Sequence, residues 1–495
     1  MIRNALSRLG MVLLAASFCL HAAGCRTNPV TGKSEMIFFS TANELAMGDE
    51  YHPNIVFMYD GEYQDPALKL YLGTIVNRLR AAGHRPDMRV DFTVLNTSIY
   101  NAFAIPGHVY ATRGFLAELK NEAQLAAVMA HELTHVNALH TAKQMTHQVL
   151  MTAGFSVAGQ ALGNSGGAQA VMQAGQVSLA LLGLSYSREQ EHQADRVGAY
   201  YMALAGWDPR QAIEMQKLLA SFGGEGSILD KYLSTHPQAP ERIEEIRAVI
   251  QEKRLLESGY IQGDGVYEQR WNRHLADLRK VNEAFKSYDR GAQLLEKANP
   301  TEALSAAEQA IHERSDQAPF HRLKGDALLR LERPGDARAA YRKSLAVDAR
   351  YVPANIGMGQ VALQQDDMGE AEKEFAVAVH GFPASPLANF GLGVTRVRLS
   401  RFEDAIPPLE AAASAMPKQP VVLFLLGVCY DRTNQPVKAY LAYRNSVQAG
   451  LQGDQRTIAQ QRLGELQPIV ESQNAQPQGV QRQQQPARQQ SGDGL

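Results

Sequence analysis

Gly291, Gly325, Gly359, Gly393 and Gly427 recur every 34 residues, and so do Ala303, Ala337, Ala371, Ala405 and Ala439. Each glycine stands twelve residues before its alanine. A repeat of this length is one helix-turn-helix unit that cannot bury its apolar face alone, and small residues at fixed places mark where its two helices cross. Tyr341, Phe375 and Tyr443, four residues after their alanines, are placed to fill the gap to the next unit. Leu409 and Ala307 take that place in two other units, which predicts looser junctions there. Residues 281–450 therefore read as five units stacked into an all-α solenoid with a concave binding face. Repeats of this kind carry no chemistry. They would select or position a protein for the other half of the chain, or serve as plain architecture.

Chemistry is carried by His131-Glu132-Leu133-Thr134-His135, inside a stretch from Asn121 without Gly or Pro that reads as one helix. Histidines four apart project from one helical face and can share a tetrahedral Zn²⁺, one per chain. Glu132, between them, can take a proton from a water acidified by the metal, which makes attack on a peptide carbonyl feasible. Where a histidine third ligand would follow, the chain has Ala138 and Thr141. His140, nine residues from His131, would lie about 180° round a continuous helix and face away from the metal. A glutamate must therefore come from downstream, and the best stretch is Tyr186 to Gly198, where Glu191 and Asp195 stand four apart on one face. Glu191 would ligate, and Asp195 would accept a proton from a ligand imidazole and hold its tautomer. Ser187 can cap that helix, with Glu189 and Glu191 in its first turn. His192 and His147 read as solvated helix residues.

The stretch Asn101 to Thr112 is rich in β-formers around Pro106-Gly107, so strand, turn and strand are expected. Asn101, Ala102, Phe103 and Ala104 are the candidate edge along which a substrate binds in extended form through backbone hydrogen bonds. The alternative is a structural hairpin packed under the helix.

HELTH, then SREQEHQADRVG, then Ser234-Thr-His-Pro-Gln-Ala-Pro-Glu-Arg-Ile243 together resemble the membrane-associated gluzincin peptidases of the HtpX type. In domain order the chain resembles their BepA-like branch of periplasmic protease-chaperones, and residues 281–450 resemble tetratricopeptide repeats. Asn28 to Lys33 and Asn101 to Gly114 match the family as well. The resemblance implies an α+β zincin-type domain, mostly α, ahead of the solenoid, with His131, His135 and Glu191 on zinc and Glu132 as general base. It further implies that His236 can occupy the fourth zinc position and hold the enzyme latent. Arg242, six residues on, would stabilise an oxyanion or pair with a nearby acid such as Glu245. A disulfide that such proteins carry in the repeats has no counterpart, since Cys429 is the one cysteine left after Cys19 and Cys25.

Met1 to Gly24 carries Arg3 and Arg8, no acid, and an apolar run from Leu9 to Leu20, which reads as an export signal. Small residues before Cys25 resemble a lipobox, so Cys25 would be lipidated and anchor the chain to membrane. By family analogy that membrane is the outer one, facing the periplasm; the alternative is a soluble periplasmic protein. Net charge of −2 gives no electrostatic footprint for nucleic acid. The expected domains are a peptidase domain over 25–251, a charged helical connection over 252–280, the repeats, a terminal helix over 451–472 and a disordered Gln-rich tail over 473–495. Residues 148–185 hold no charge, and their most apolar run is too short to span a bilayer. They fit an interfacial hairpin, a lid over the zinc or a buried helix. Two functions follow: a zinc endopeptidase that degrades misassembled envelope proteins, or an assembly factor that docks on outer-membrane machinery with proteolysis latent.

Overall fold

Asn28 turns the first described residues back on themselves, joining β1 (Cys25–Thr27) to antiparallel β2 (Ser34–Met36). Its Oδ1 accepts from the backbone N–H of Val30 at 2.9 Å, and its buried amide donates to the carbonyl of Ala138 at 2.8 Å. This computed structural model describes residues 25–147, 150, 185–222, 230–236 and 240–475. The expected export signal, nearly all of the expected lid and the last twenty residues of the tail lie outside them. Two compact units result, Met1–Pro319 and Phe320–Leu495.

In the first unit, α1 (Thr41–Met58) is capped by Ser40, and α2 (Pro66–Ala82) by Asp65 with Pro66 in its first turn. Leu68, Leu72, Ile75, Val76 and Leu79 recur at helical spacing along α2 and are buried, the apolar stripe of an amphipathic helix. A three-stranded sheet follows, β3 (Asp91–Leu95), β4 (Ala102–Ile105) and β5 (His108–Thr112), in the order β3-β5-β4. β3 runs parallel to β5, while β4 pairs antiparallel with it through the turn at Pro106 and Gly107, whose φ of 86° suits glycine. β4 is thus an outer strand. The short α3 (Arg113–Glu118) leads to α4 (Glu122–Asn137), capped by Asn121 and buried at every one of its 16 positions. Alanines at 123, 126, 127 and 130 let neighbours approach it from several sides.

α5 (Arg188–Leu204) starts in a capping box made by Ser187 and Gln190. It crosses α4 at Gly198, where a Cβ would lie 3.1 Å from the backbone nitrogen of His131. Glycine there sets how near Glu191 and Asp195 can come to the His131 face. α6 (Arg210–Ser221), α7 (Asp230–Thr235) and α8 (Glu241–Glu252) follow. Of the helical connection expected over 252–280, residues 268–280 are helix, but 253–267 turn through a loop with positive φ at Arg254, Gly259, Gly263, Gly265 and Tyr267. The glycines explain the break. α9 (Glu268–Glu296) then runs unbroken into the first repeat and pairs with α10 (Pro300–Glu313). It is fastened to the preceding elements by Trp271 Nε1 donating to Leu119 O at 2.8 Å, and by the buried Arg113 guanidinium stacked 3.5 Å over Phe285. Both tryptophans of the chain, Trp207 and Trp271, are fully buried in this unit.

Paired helices make up the second unit: α11 (Ala318–Arg330, entering it at Phe320) with α12 (Pro334–Val347), α13 (Val352–Gln364) with α14 (Met368–Gly381), α15 (Pro386–Arg398) with α16 (Phe402–Ala415), and α17 (Pro420–Arg432) with α18 (Pro436–Gln448). α19 (Gly453–Ala475) closes it. All five alanines of the 34-residue pattern are fully buried. The ring of Tyr341 lies against Gly325 of its own pair and Gly357 of the next, and Phe375 lies likewise between Gly359 and Gly391. Leu409 fills the same place against Gly393 and is as buried as the rings, so no gap opens at that junction. The turn in each pair holds a residue in the left-handed region, Glu332, Asp366, Ser400 and Asn434, again 34 apart. A methyl group at Gly391 would overlap the Phe375 ring. Gly391→Ala should therefore cost ~1–3 kcal/mol, read as an earlier urea transition in far-UV circular dichroism.

Candidate metal centre and catalytic cleft

His131 and His135 project from one face of α4 with their Nε2 atoms 3.1 Å apart. Glu191, on the facing turn of α5, brings Oε2 to 3.5 Å from His131 Nε2 and Oε1 to 3.3 Å from His135 Nε2. His236, just past α7, places Nδ1 3.0 Å from Glu191 Oε1 and 3.3 Å from His131 Nε2. One donor atom from each of these four buried residues lies within 4.8 Å of the others. A tetrahedron with zinc bonds near 2.0–2.1 Å has edges of about 3.3 Å, so the observed separations of 3.0–3.5 Å fit that ion. Ring nitrogens and carboxylate oxygens cannot converge so closely in a dry interior unless protons or a cation lie among them.

Behind the donors lies a charged backing. His131 Nδ1 is 3.0 Å from Asp195 Oδ1. The buried Arg242 donates to Asp195 through Nε at 2.7 Å and Nη2 at 2.8 Å, and pairs through Nη1 with Glu191 Oε2 at 2.9 Å. Arg242 is thus occupied behind the carboxylates and does not meet Glu245, which pairs with Arg196 at 3.1 Å. Burial works against the charge on Glu191, but the imidazoles of His131 and His236 outweigh it and hold the carboxyl well below its usual range. Burial likewise opposes charge on His131, yet Glu191 and Asp195 prevail and raise it to about 10 without a metal. A cation entering the cluster therefore displaces a proton.

Glu132 is 1% exposed, and its Oε1 makes no hydrogen bond among the described residues; His236 Nε2 stands 3.5 Å away. Burial pushes its carboxyl above the usual range, against the pull of His236 and His131. Glu132 lines a cleft walled by α1 and β4, together with Met47, Tyr51, Ile55, Phe103, Met145, Tyr186 and His236. Ala104 faces the same cleft. Ala102 is fully buried, and Asn101, just before the strand, is also buried and donates to Tyr59 OH at 2.9 Å. Cys25 is exposed at the start of β1.

Three neighbours of the donors escaped the sequence reading. Tyr186 stacks on His135 with ring centroids 3.7 Å apart, and Tyr232 stacks on His236 at 4.7 Å. His140, expected to face away, instead brings Nδ1 to 2.9 Å from His135 Nδ1. α4 ends at Asn137, Leu139 takes a left-handed φ of 58°, and the chain re-enters helix at His140 in a new direction.

A helix bearing HExxH, a glutamate from a second helix and a sheet edge beside the pair define the class: a metallopeptidase domain, here joined to helical repeats. Residues 66–250 match Peptidase family M48, and residues 288–353, 322–389 and 356–420 each match the tetratricopeptide repeat. The chain belongs to peptidase family M48. It is similar to the mitochondrial metalloendopeptidase OMA1 of Schizosaccharomyces pombe, 30% identical over 232 residues that cover 46% of this chain and 67% of that protein. It is also similar to the beta-barrel assembly-enhancing protease of Yersinia pestis, 31% identical over 225 residues, 44% of this chain and 46% of that protein. The chain thus spans about half the length of the latter relative. Among solved structures, Pseudomonas aeruginosa pilF is similar at a TM-score of 0.35 and 20% identity, covering 39% of this chain and 87% of that one. No helix among the described residues is long and apolar enough to cross a membrane.

Proposed function

We propose that the chain is a zinc-dependent endopeptidase of the bacterial cell envelope that degrades misassembled outer-membrane or periplasmic proteins. The four-donor cluster beside the orphaned Glu132 oxygen carries this reading. His131, His135 and Glu191 would hold one zinc per chain. When bound, the ion would polarise a peptide carbonyl and lower the pKa of water. Glu132 accepts the proton of the attacking water and returns it to the leaving nitrogen, a role favoured by a carboxyl whose pKa burial has raised toward the working pH. Asn101, Phe103 and Ala104, which line the cleft, place the edge of β4 beside an extended substrate, while Ala102 is enclosed behind them. Asp195 and Arg242 hold the donors in register.

His236 favours a regulated enzyme. Its ring fills the fourth corner of the cluster and stands over Glu132, where the attacking water must enter. The resting chain is therefore latched, and displacement of His236 opens it. The same observation supports the second function, an assembly factor on outer-membrane machinery whose proteolysis is held back. In either role the repeats bind the substrate or partner, and a lipid on Cys25 ties the chain to the periplasmic face of the outer membrane unless it is soluble there. Nucleic acid has no part in either.

The test is zinc content and casein cleavage by the wild type and His236→Ala. Both should bind one zinc, His236→Ala should cleave on the order of tenfold faster, and a chelator should abolish the cleavage reversibly. Absence of zinc from both proteins would refute the metal centre. Equal cleavage and equal zinc affinity would refute the latch.

A further inference from the structure

The two ligand imidazoles are backed by unlike partners. His131 presents Nδ1 to Asp195 Oδ1 at 3.0 Å. A carboxylate paired with Arg242 can only accept, so His131 keeps a proton on Nδ1, and the proton that a cation displaces is the one on Nε2. Among the described residues no carboxylate lies behind His135. Its Nδ1 lies 2.9 Å from another ring nitrogen, Nδ1 of His140, and both rings are buried. Two nitrogens at that distance share one proton, and the question is which ring supplies it.

Gln193 answers through the far side of His140. Its Oε1 lies 2.8 Å from His140 Nε2, and an amide oxygen accepts. His140 therefore carries its proton on Nε2 and offers a lone pair at Nδ1. His135 must donate Nδ1–H into that lone pair, which leaves its Nε2 bare toward the other donors. We propose that His140 is a positioning residue for the metal centre: a neutral acceptor, oriented by Gln193, that holds His135 in its metal-binding tautomer.

The surroundings serve the same end. Leu139 adopts a left-handed φ of 58° that turns His140 back toward His135, and the Asn28 amide holds the carbonyl just before that turn at 2.8 Å. Tyr186 covers the His135 ring face at 3.7 Å and fixes its plane. Two imidazoles thus face one ion with different support, one from a carboxylate and one from an uncharged ring. An uncharged partner fixes the tautomer without adding another buried acid beside Glu132, Glu191 and Asp195. This inference rests on the cluster being a metal centre, and its test separates the two.

The experiment uses the full chain labelled with [15N]histidine. Two-bond 15N–1H correlations on the metal-free protein should report His135 protonated at Nδ1 and His140 at Nε2. The opposite amide orientation would reverse the relay and place a proton on His135 Nε2. Zinc affinity is then measured by competition with a chromophoric chelator. His140→Phe keeps the ring volume but removes the acceptor and should weaken zinc ~10–100-fold. His140→Asn, whose amide oxygen can take the place of Nδ1, should recover most of that loss, and Gln193→Leu should weaken zinc in the same direction. If His140→Phe does not fold, the wild-type spectrum and the other two variants decide. His135 protonated at Nε2, or zinc affinity unchanged across the variants while the wild type binds zinc, overturns this inference alone. A wild type that takes up no zinc overturns the metal centre and this inference together.

Discussion

Glu132→Gln is expected to bind zinc as the wild type does and to hydrolyse peptide bonds ~10²–10⁴-fold more slowly. The separation follows from geometry. Glu132 is not one of the four residues whose donors converge, so replacing it leaves the cluster intact. Its Oε1 is buried and makes no hydrogen bond among the described residues, which makes it a proton acceptor held ready, and an amide of the same shape cannot accept that proton. The comparison is best made in the His236→Ala background, where the cleft is open, with zinc content measured on the same samples. Loss of zinc together with loss of cleavage would assign Glu132 to the metal instead. Undiminished cleavage would remove it from the reaction.

Arg242→Met should destabilise the metal-free first unit by ~3–5 kcal/mol, because it leaves two buried carboxylates without their shared cation. Arg242 is 1% exposed and makes contacts of 2.7, 2.8 and 2.9 Å to Asp195 and Glu191. Both tryptophans lie in this unit, so fluorescence during urea unfolding reports it without interference from the repeats. The deficit should depend on pH. Burial alone would raise the Asp195 carboxyl, but Arg242 and His131 hold it below its ordinary 3.8. A lowered folded-state pKa contributes stability that is present above the unfolded value and is lost as pH falls through the folded one. In the variant those carboxyls protonate readily, so the gap from wild type is full at pH 7 and narrows as pH drops below about 4. A gap of the same size at both pH values would mean that Arg242 acts by packing and not by charge.

Spacing made part of this site legible. Four residues on a helix return to the same face, which joins His131 to His135 and Glu191 to Asp195 before any fold is known. Closeness of the two faces follows from Gly198, whose missing side chain is visible in sequence although its contact with α4 is not. A helix continued past Asn137 would turn His140 away from the donors, and the chain does not continue it. The break is made by Leu139 in a conformation for which leucine gives no warning, and it is supported by Asn28, 110 residues away. The loop at 253–267 is different, since Gly259, Gly263 and Gly265 mark it in the sequence, and charge content alone does not distinguish a loop from a helix. The aromatic places of the repeats were readable, but not that Leu409 would seal its junction as fully as a ring does.

The left-handed turn residues of the second unit are Glu332, Asp366, Ser400 and Asn434, four different side chains with one backbone angle, φ of 56–59°. Each costs roughly 1–2 kcal/mol relative to right-handed backbone, a tax levied four times at the same phase of the array. What the array holds constant at these joints is therefore a count and not a letter. Substitution at a joint changes little, but deleting a single residue from a helix rotates everything after it by about 100° around that helix. The ring that should meet glycine would then meet a side chain, and the fault would fall on that unit and the one it packs against. An array so built accepts many misspellings and almost no slips of register.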